Sequence, residues 1–157
     1  MKSKVLKFIT TGFYSGLAPK APGTFGSLGY LIIWLFFLRH SFYLELAVGL
    51  FAAIGGYLAT KAYLPFISKG EAHADPSYIV IDEWAGIALP LLAASTTEPF
   101  TILLAFTLFR LFDIWKPWLI GKADELPGAM GIMADDLLAG AAALIMLWTY
   151  QAIPIVS

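Results

Sequence analysis

Long apolar runs separated by short polar connections organise this chain. Five runs stand out: Phe25 to Leu38, ending at Arg39-His40; Ser41 to Thr60, interrupted only by Glu45; Ala85 to Ala94, with Pro90 inside it; Phe100 to Phe109; and Leu137 to about Tyr150. They are rich in Leu, Ala and Phe, and none alternates polar and apolar positions as a half-buried strand would, so each is predicted helical. Crossing a bilayer takes about 20 apolar residues. The second run reaches that length and the first and fifth approach it. The third and fourth have the length of half-spans, re-entrant pieces or core helices. The expected fold class is all-α: one domain over residues 1–157, a multi-helical polytopic membrane bundle of about five apolar helices.

Composition strengthens the membrane reading over a soluble protein with a large core. Apolar residues make up 59% and charged residues 13%, against about 45–50% and about 25% in a soluble domain. A net charge of −1 gives no bulk attraction for nucleic acid. The absence of cysteine excludes disulfides, thiolate metal sites and cysteine-nucleophile phosphatases. Met1 to Thr11 is basic but lacks the long apolar run and small-residue cleavage site of a signal peptide.

Charge sets an expected orientation. With a cytoplasmic N-terminus and one crossing per run, Lys2, Lys4, Lys7, Lys20, Lys61, Lys69, Arg110, Lys116 and Lys122 fall inside and Arg39 alone falls outside. The same sidedness survives if the third and fourth runs form a returning hairpin. Residues 1–24, 61–83 and 110–136 then share one face, which places a polar site at the cytoplasmic face.

Carboxylates of those regions cluster at three places, each at the edge of an apolar run: Asp82-Glu83 before the third, Asp113 after the fourth, Asp135-Asp136 before the fifth. A single Asp at a helix start complements the helix dipole and caps free N–H groups. Five carboxylates in three segments at one membrane face go beyond that, because grouped carboxylates repel unless a cation joins them. Hard oxygen ligands select Mg²⁺, Mn²⁺ or Ca²⁺. Asp82-Glu-Trp-Ala-Gly86 and Asp136-Leu-Leu-Ala-Gly140 share the pattern Asp-x-x-Ala-Gly. Each Gly lies one turn from its Asp on the same helix face, where small residues allow close helix approach.

Other candidates are polar loops and cations. Ser15 to Ser27 is rich in Gly and Pro and leads into the first apolar run. Thr24 is its expected N-cap with Ser27 at capping-box spacing, though without the usual Glu or Gln. Free N–H groups there, the Thr24 and Ser27 hydroxyls and Lys20 suit a phosphate as well as they suit an ordinary interfacial loop. It is no P-loop, since no Gly-Lys-Ser/Thr follows at the required spacing. Arg110 and Lys116 flank Asp113 at three-residue spacing, as local salt bridges or as phosphate-holding cations beside a metal-bound Asp. Pro117 ends that helix after Lys116. His40 reads as interfacial and His73 as a solvated loop histidine; Trp34, Trp84, Trp115, Trp118 and Trp148 read as interfacial anchors.

Four motifs, in order and spanning most of the chain, resemble the phosphatidylglycerophosphatase A family: Ala21-Pro-Gly-Thr-Phe-Gly-Ser-Leu28, Ile81-Asp-Glu-Trp-Ala-Gly86, Phe109-Arg-Leu-Phe-Asp-Ile-Trp-Lys-Pro117 and Gly131-Ile-Met-Ala-Asp-Asp-Leu-Leu-Ala-Gly140. The resemblance implies an all-helical enzyme of the bacterial inner membrane. It would hydrolyse phosphatidylglycerophosphate to phosphatidylglycerol and phosphate with Mg²⁺. It makes Asp82, Glu83, Asp113, Asp135 and Asp136 the catalytic and metal candidates. Lys20, Thr24, Ser27, Arg110 and Lys116 become candidates for binding phosphate. Trp118-Leu119 stands where the family usually has a second Pro, and the loop from Ile120 to Pro127 also departs from the family pattern. Two other classes fit the residues alone. A cation-coupled transporter subunit calls for carboxylates near mid-span. A non-catalytic membrane scaffold calls for no divalent-metal binding.

Overall fold

A computed structural model of the protein describes residues 2–67, 76–94 and 98–153. His73, together with Lys69, Glu71 and Asp75, lies outside the described residues. The described chain is helical, with no strand. Its helices are α1 (Lys2–Thr10), α2 (Pro22–Ile33), α3 (Phe42–Tyr63), α4 (Ile81–Ala94), α5 (Pro99–Trp115), α6 (Leu119–Asp124) and α7 (Ala129–Ala152). A π-helical turn, Trp34–Leu38, continues α2. Each predicted run is helical, and each helical segment extends past its apolar run because flanking residues, several of them polar, join its ends.

Local chemistry sets the ends. Pro22 stands at the start of α2 after Ala21 in a left-handed conformation (φ +48°), where proline's missing N–H costs nothing. This corrects the expected N-cap: Thr24 is the third residue of the helix and Ser27 lies a further turn inside. Ser41 caps α3 by accepting from the Leu44 amide. Lys116, at φ +48°, closes α5 just before Pro117, as a left-handed cap ahead of a proline does. Leu126-Pro127-Gly128, with Gly128 at φ +64°, precedes α7. α7 therefore starts earlier than its apolar run, and Asp135-Asp136 lies about two turns inside it rather than opening it. Residues Leu119–Asp124, read from the sequence as part of a loop, form the helical turn α6.

Two helices are long and apolar enough to cross a membrane: Phe42–Phe66, which is α3 with its terminal 3₁₀ turn, and Ala129–Ala152. In α3 only 22% of the apolar window is buried within the molecule, whereas a core helix of a soluble protein is mostly buried. Its outward face carries Phe51, Ile54 and Leu58, all more than half exposed. Phe36, Phe37, Leu103, Ile145 and Trp148 continue the exposed apolar surface over α2, α5 and α7. So large an apolar exterior is suited to lipid. Among the tryptophans, Trp115, Trp118 and Trp148 are exposed as an interfacial anchor requires. Trp34 and Trp84 are buried, because those helix ends face other helices.

α4 and α7 form the centre. A Cβ on Gly140 would run into the Gly86 carbonyl, and one on Gly86 would lie 2.6 Å from the Asp136 carbonyl. The two backbones therefore touch at the Gly positions of the repeated pattern. Pro90 has no N–H to give the Gly86 carbonyl four residues earlier, which leaves that carbonyl facing Gly140. α3, α5 and α6 pack around this pair, and α2 packs on α4.

Candidate active site

The α4–α7 crossing sets the site one helical turn away, where each Gly has its Asp. Asp82 and Glu83 lie in the first turn of α4, Asp113 in the last turn of α5, and Asp135 and Asp136 in α7. One carboxylate oxygen each from Asp82, Glu83 and Asp136 lie within 4.8 Å of one another, and so do oxygens of Asp113, Asp135 and Asp136. Asp136 belongs to both groups. All five sequence candidates thus converge. The four Asp residues are at most 9% exposed, so water screens their repulsion poorly.

Two cations accompany them. Arg110 Nη1 lies 2.5 Å from Asp113 Oδ2 and 3.9 Å from Glu83 Oε1. Lys116 is turned out of the α5 helix by its positive φ. Its Nζ donates to Asp124 Oδ1 at 2.6 Å and to Asp135 Oδ2 at 2.7 Å. It is therefore a bridge between α6 and α7, not a cation on the Asp113 face of α5. Burial works against its charge, and the two carboxylates overcome this and hold its ammonium above the ordinary lysine range. Asp124, which the sequence reading passed over, is the second anchor; its only signal was eight-residue spacing from Lys116.

The Pro-Gly-Thr segment reaches the same place. A Cβ on Gly23 would collide with Glu83 Oε1 and lie 3.2 Å from Arg110 Nη2. The first helical bond of α2 is Phe25 N–H to Ala21 O, so the Gly23 and Thr24 amides precede the hydrogen-bonded ladder. The amide end of α2 thus abuts Glu83 and Arg110. Thr24 is part-buried there. Ser27 is fully buried and its hydroxyl donates to Gly23 O at 2.9 Å, so its proton is used inside the helix. Lys20 is exposed and forms no ion pair among the described residues. The ten candidates divide accordingly: five carboxylates, Arg110 and Thr24 gather, Lys116 supports Asp135 from the side, Ser27 belongs to the α2 interior, and Lys20 stands apart.

The donor set fits a hard divalent cation. Five carboxylates face two cations, and Glu83 Oε2 and Asp135 Oδ1 are buried without a hydrogen-bond partner among the described residues. Such excess buried negative charge is costly unless a cation offsets it, and an all-oxygen donor set is that of Mg²⁺-type ions. A cation flanked by a guanidinium and a helix N-terminus is an arrangement that receives a phosphate group.

The chain is similar to known proteins over most of its length. The family model described as phosphatidylglycerophosphatase A matches residues 8–151. A protein of Bacteroides thetaiotaomicron given the provisional name phosphatidylinositol-3-phosphatase is 40% identical over 147 residues, covering 88% of this chain and 89% of its own. The phosphatidylglycerophosphatase A of Escherichia coli is 38% identical over 84% of this chain and 75% of its own. That of Haemophilus influenzae is 37% identical over 93% of this chain and 88% of its own. No solved structure matches the chain at a significant level. By the extent of the family match and by these relatives, the chain belongs to the phosphatidylglycerophosphatase A family, whose members are phosphatases acting on a phosphate monoester.

Proposed function

We propose that this protein is a Mg²⁺-dependent lipid phosphatase of the bacterial inner membrane. It hydrolyses phosphatidylglycerophosphate to phosphatidylglycerol and inorganic phosphate, with its site facing the cytoplasm within a bundle of about five apolar helices. The observation that carries this reading is the meeting of five carboxylates from three helices beside Arg110 and the amide end of α2. Family membership favours it over the transporter and scaffold alternatives. The two relatives named phosphatidylglycerophosphatase A favour this substrate over the phosphoinositide in the name of the third.

Several of the five carboxylates Asp82, Glu83, Asp113, Asp135 and Asp136 would hold Mg²⁺, with Asp136 common to both carboxylate groups. The ion supplies Lewis-acid stabilisation of the phosphoryl charge. The chain's own groups do the rest. Arg110 and the Gly23 and Thr24 amides bind the phosphate oxygens and place the ester bond at the carboxylates. One carboxylate not engaged by the cation accepts the proton of the attacking water. Lys116 holds Asp135 in place, and Lys20 meets the headgroup from the exposed loop. Ser27, buried under Gly23, keeps the α2 end in position rather than touching phosphate.

The test is phosphate release by purified protein from phosphatidylglycerophosphate, phosphatidylinositol 3-phosphate and soluble phosphomonoesters, with Mg²⁺ and with excess EDTA. We expect release from phosphatidylglycerophosphate, lost in EDTA and restored by Mg²⁺. Asp136→Asn should lower turnover by about a hundredfold or more, as loss of a principal electrostatic group does, while the protein keeps its thermal transition. Preference for the phosphoinositide would reassign the substrate. Full activity of folded Asp136→Asn would remove the carboxylate site from the reaction.

A further inference from the structure

A second feature begins where the carboxylates end. A groove of about 430 Å³ runs between α7 and the corner joining α5 to α6, and its lining is almost wholly apolar, including Phe112, Trp118, Leu138, Ala142 and Ile145. That volume falls within the range of about 300–1,000 Å³ found for small-molecule sites. One end borders the site: Phe112 precedes Asp113, and Leu138 lies one turn beyond Asp135 on α7. The lining continues along α7 to Met146, about 12 Å further at about 1.5 Å per residue. Ala141 and Ala142 leave the depth, since larger side chains at those positions would fill it. Trp118, 89% exposed, and Leu119, 67% exposed, stand at the mouth, and exposed Trp is the residue type that settles at a membrane interface.

A soluble phosphomonoester needs no apolar slot beside its phosphate site. A lipid phosphate whose headgroup reaches the carboxylates must lead its acyl chains away along an apolar path, and this groove starts at that point and follows a helix of membrane-crossing length. We propose that the groove holds one acyl chain of the lipid substrate and makes the enzyme sensitive to chain length. The proposal rests on the phosphatase reading above.

The test compares long-chain and short-chain phosphatidylglycerophosphate in mixed micelles. Ala142→Phe adds bulk at a half-buried position that opens into the groove. Ile54→Phe, on the exposed face of α3, controls for added surface bulk. We expect Ala142→Phe to lower kcat/KM for the long-chain lipid by about tenfold, the effect of losing about two methylenes' worth of burial. The loss should be confined to the long-chain lipid, and Ile54→Phe should turn over both lipids as the wild type does. Equal losses on both lipids, or no loss on the long one, would overturn the groove assignment while leaving the phosphatase standing. If the wild-type protein releases phosphate from no lipid, the phosphatase reading itself fails. Photolabelling of the wild type with phosphatidylglycerol bearing a diazirine acyl chain then decides the groove. Adducts on the α6–α7 lining support it, and adducts confined to other faces reject it.

Discussion

At position 23 one added carbon would occupy the place of the Glu83 carboxylate and press on Arg110. That makes the Pro-Gly-Thr glycine a steric requirement of the site. Gly23→Ala should lower phosphate release by tenfold or more, and overpacking of this kind costs about 1–3 kcal/mol of stability. Steady-state kinetics beside thermal melting checks it; unimpaired kinetics would mean Glu83 can move aside without consequence. A different argument applies to Lys116, whose ammonium is held by Asp124 and Asp135. Lys116→Met leaves both carboxylates without their cation, which costs about 1–3 kcal/mol. The folded pKa of Lys116 lies above its unfolded value, so its contribution is fully present below the unfolded pKa, about 10.4, and is lost only as pH rises through the higher folded value. The loss of Tm in the variant should therefore be the same at pH 7.5 and pH 9. A difference that shrinks over that interval would show that the lysine charge is not what holds α6 to α7.

Between elements, the decisive contact is the crossing of α4 and α7, because it sets Asp82 and Asp136 at one level. Gly140→Ala places a methyl against the Gly86 carbonyl, and the helices must separate. We expect a destabilisation of about 1–3 kcal/mol and a parallel loss of turnover, read by melting and by phosphate release. Once one glycine has forced the helices apart, the second substitution finds room, so Gly86→Ala with Gly140→Ala should cost less than the sum of the two. A strictly additive pair would mean that the two positions do not share one contact. This crossing was legible beforehand because helical periodicity alone puts each Gly under its Asp, and the pattern occurs twice. The position of Asp135-Asp136 deep in α7 was not, since these two charges interrupt the apolar sequence and the boundary was read there, although Ala129 to Ala134 before them is apolar and helical. Nor was the turning of Lys116 toward Asp135, which depends on one left-handed residue before Pro117. The burial of Trp34 likewise depends on a partner: its Nε1 donates to Glu45 at 2.5 Å, where the π-helical turn packs on α3, and nothing near Trp34 in sequence announces Glu45. Motif residues were readable where chemistry is local; their partners were not where tertiary packing chose them.

For the whole molecule, helix length and the distribution of charge predict which way the helices stand in the bilayer. Pro22–Leu38 spans 17 residues, about 25 Å at about 1.5 Å per residue, close to the hydrocarbon thickness of about 30 Å. Lys20 and His40 flank this helix at opposite ends and both are exposed. The excess of Lys and Arg on the loops sharing the Lys20 side argues that this end is cytoplasmic. The carboxylates belong to the same end, since Gly23 touches Glu83. Because the chain contains no cysteine, single replacements report without background. In spheroplasts treated with a membrane-impermeant maleimide, His40→Cys should label at once, while Lys20→Cys and Lys122→Cys should label only after permeabilisation. Labelling of Lys20→Cys from outside would turn the bundle over and place phosphate release on the other side of the membrane. Equal labelling of Lys20→Cys and His40→Cys would mean that α2 with its π-helical turn does not cross at all. The site would then have to be reached from a surface-lying arrangement, with only α3 and α7 as spans.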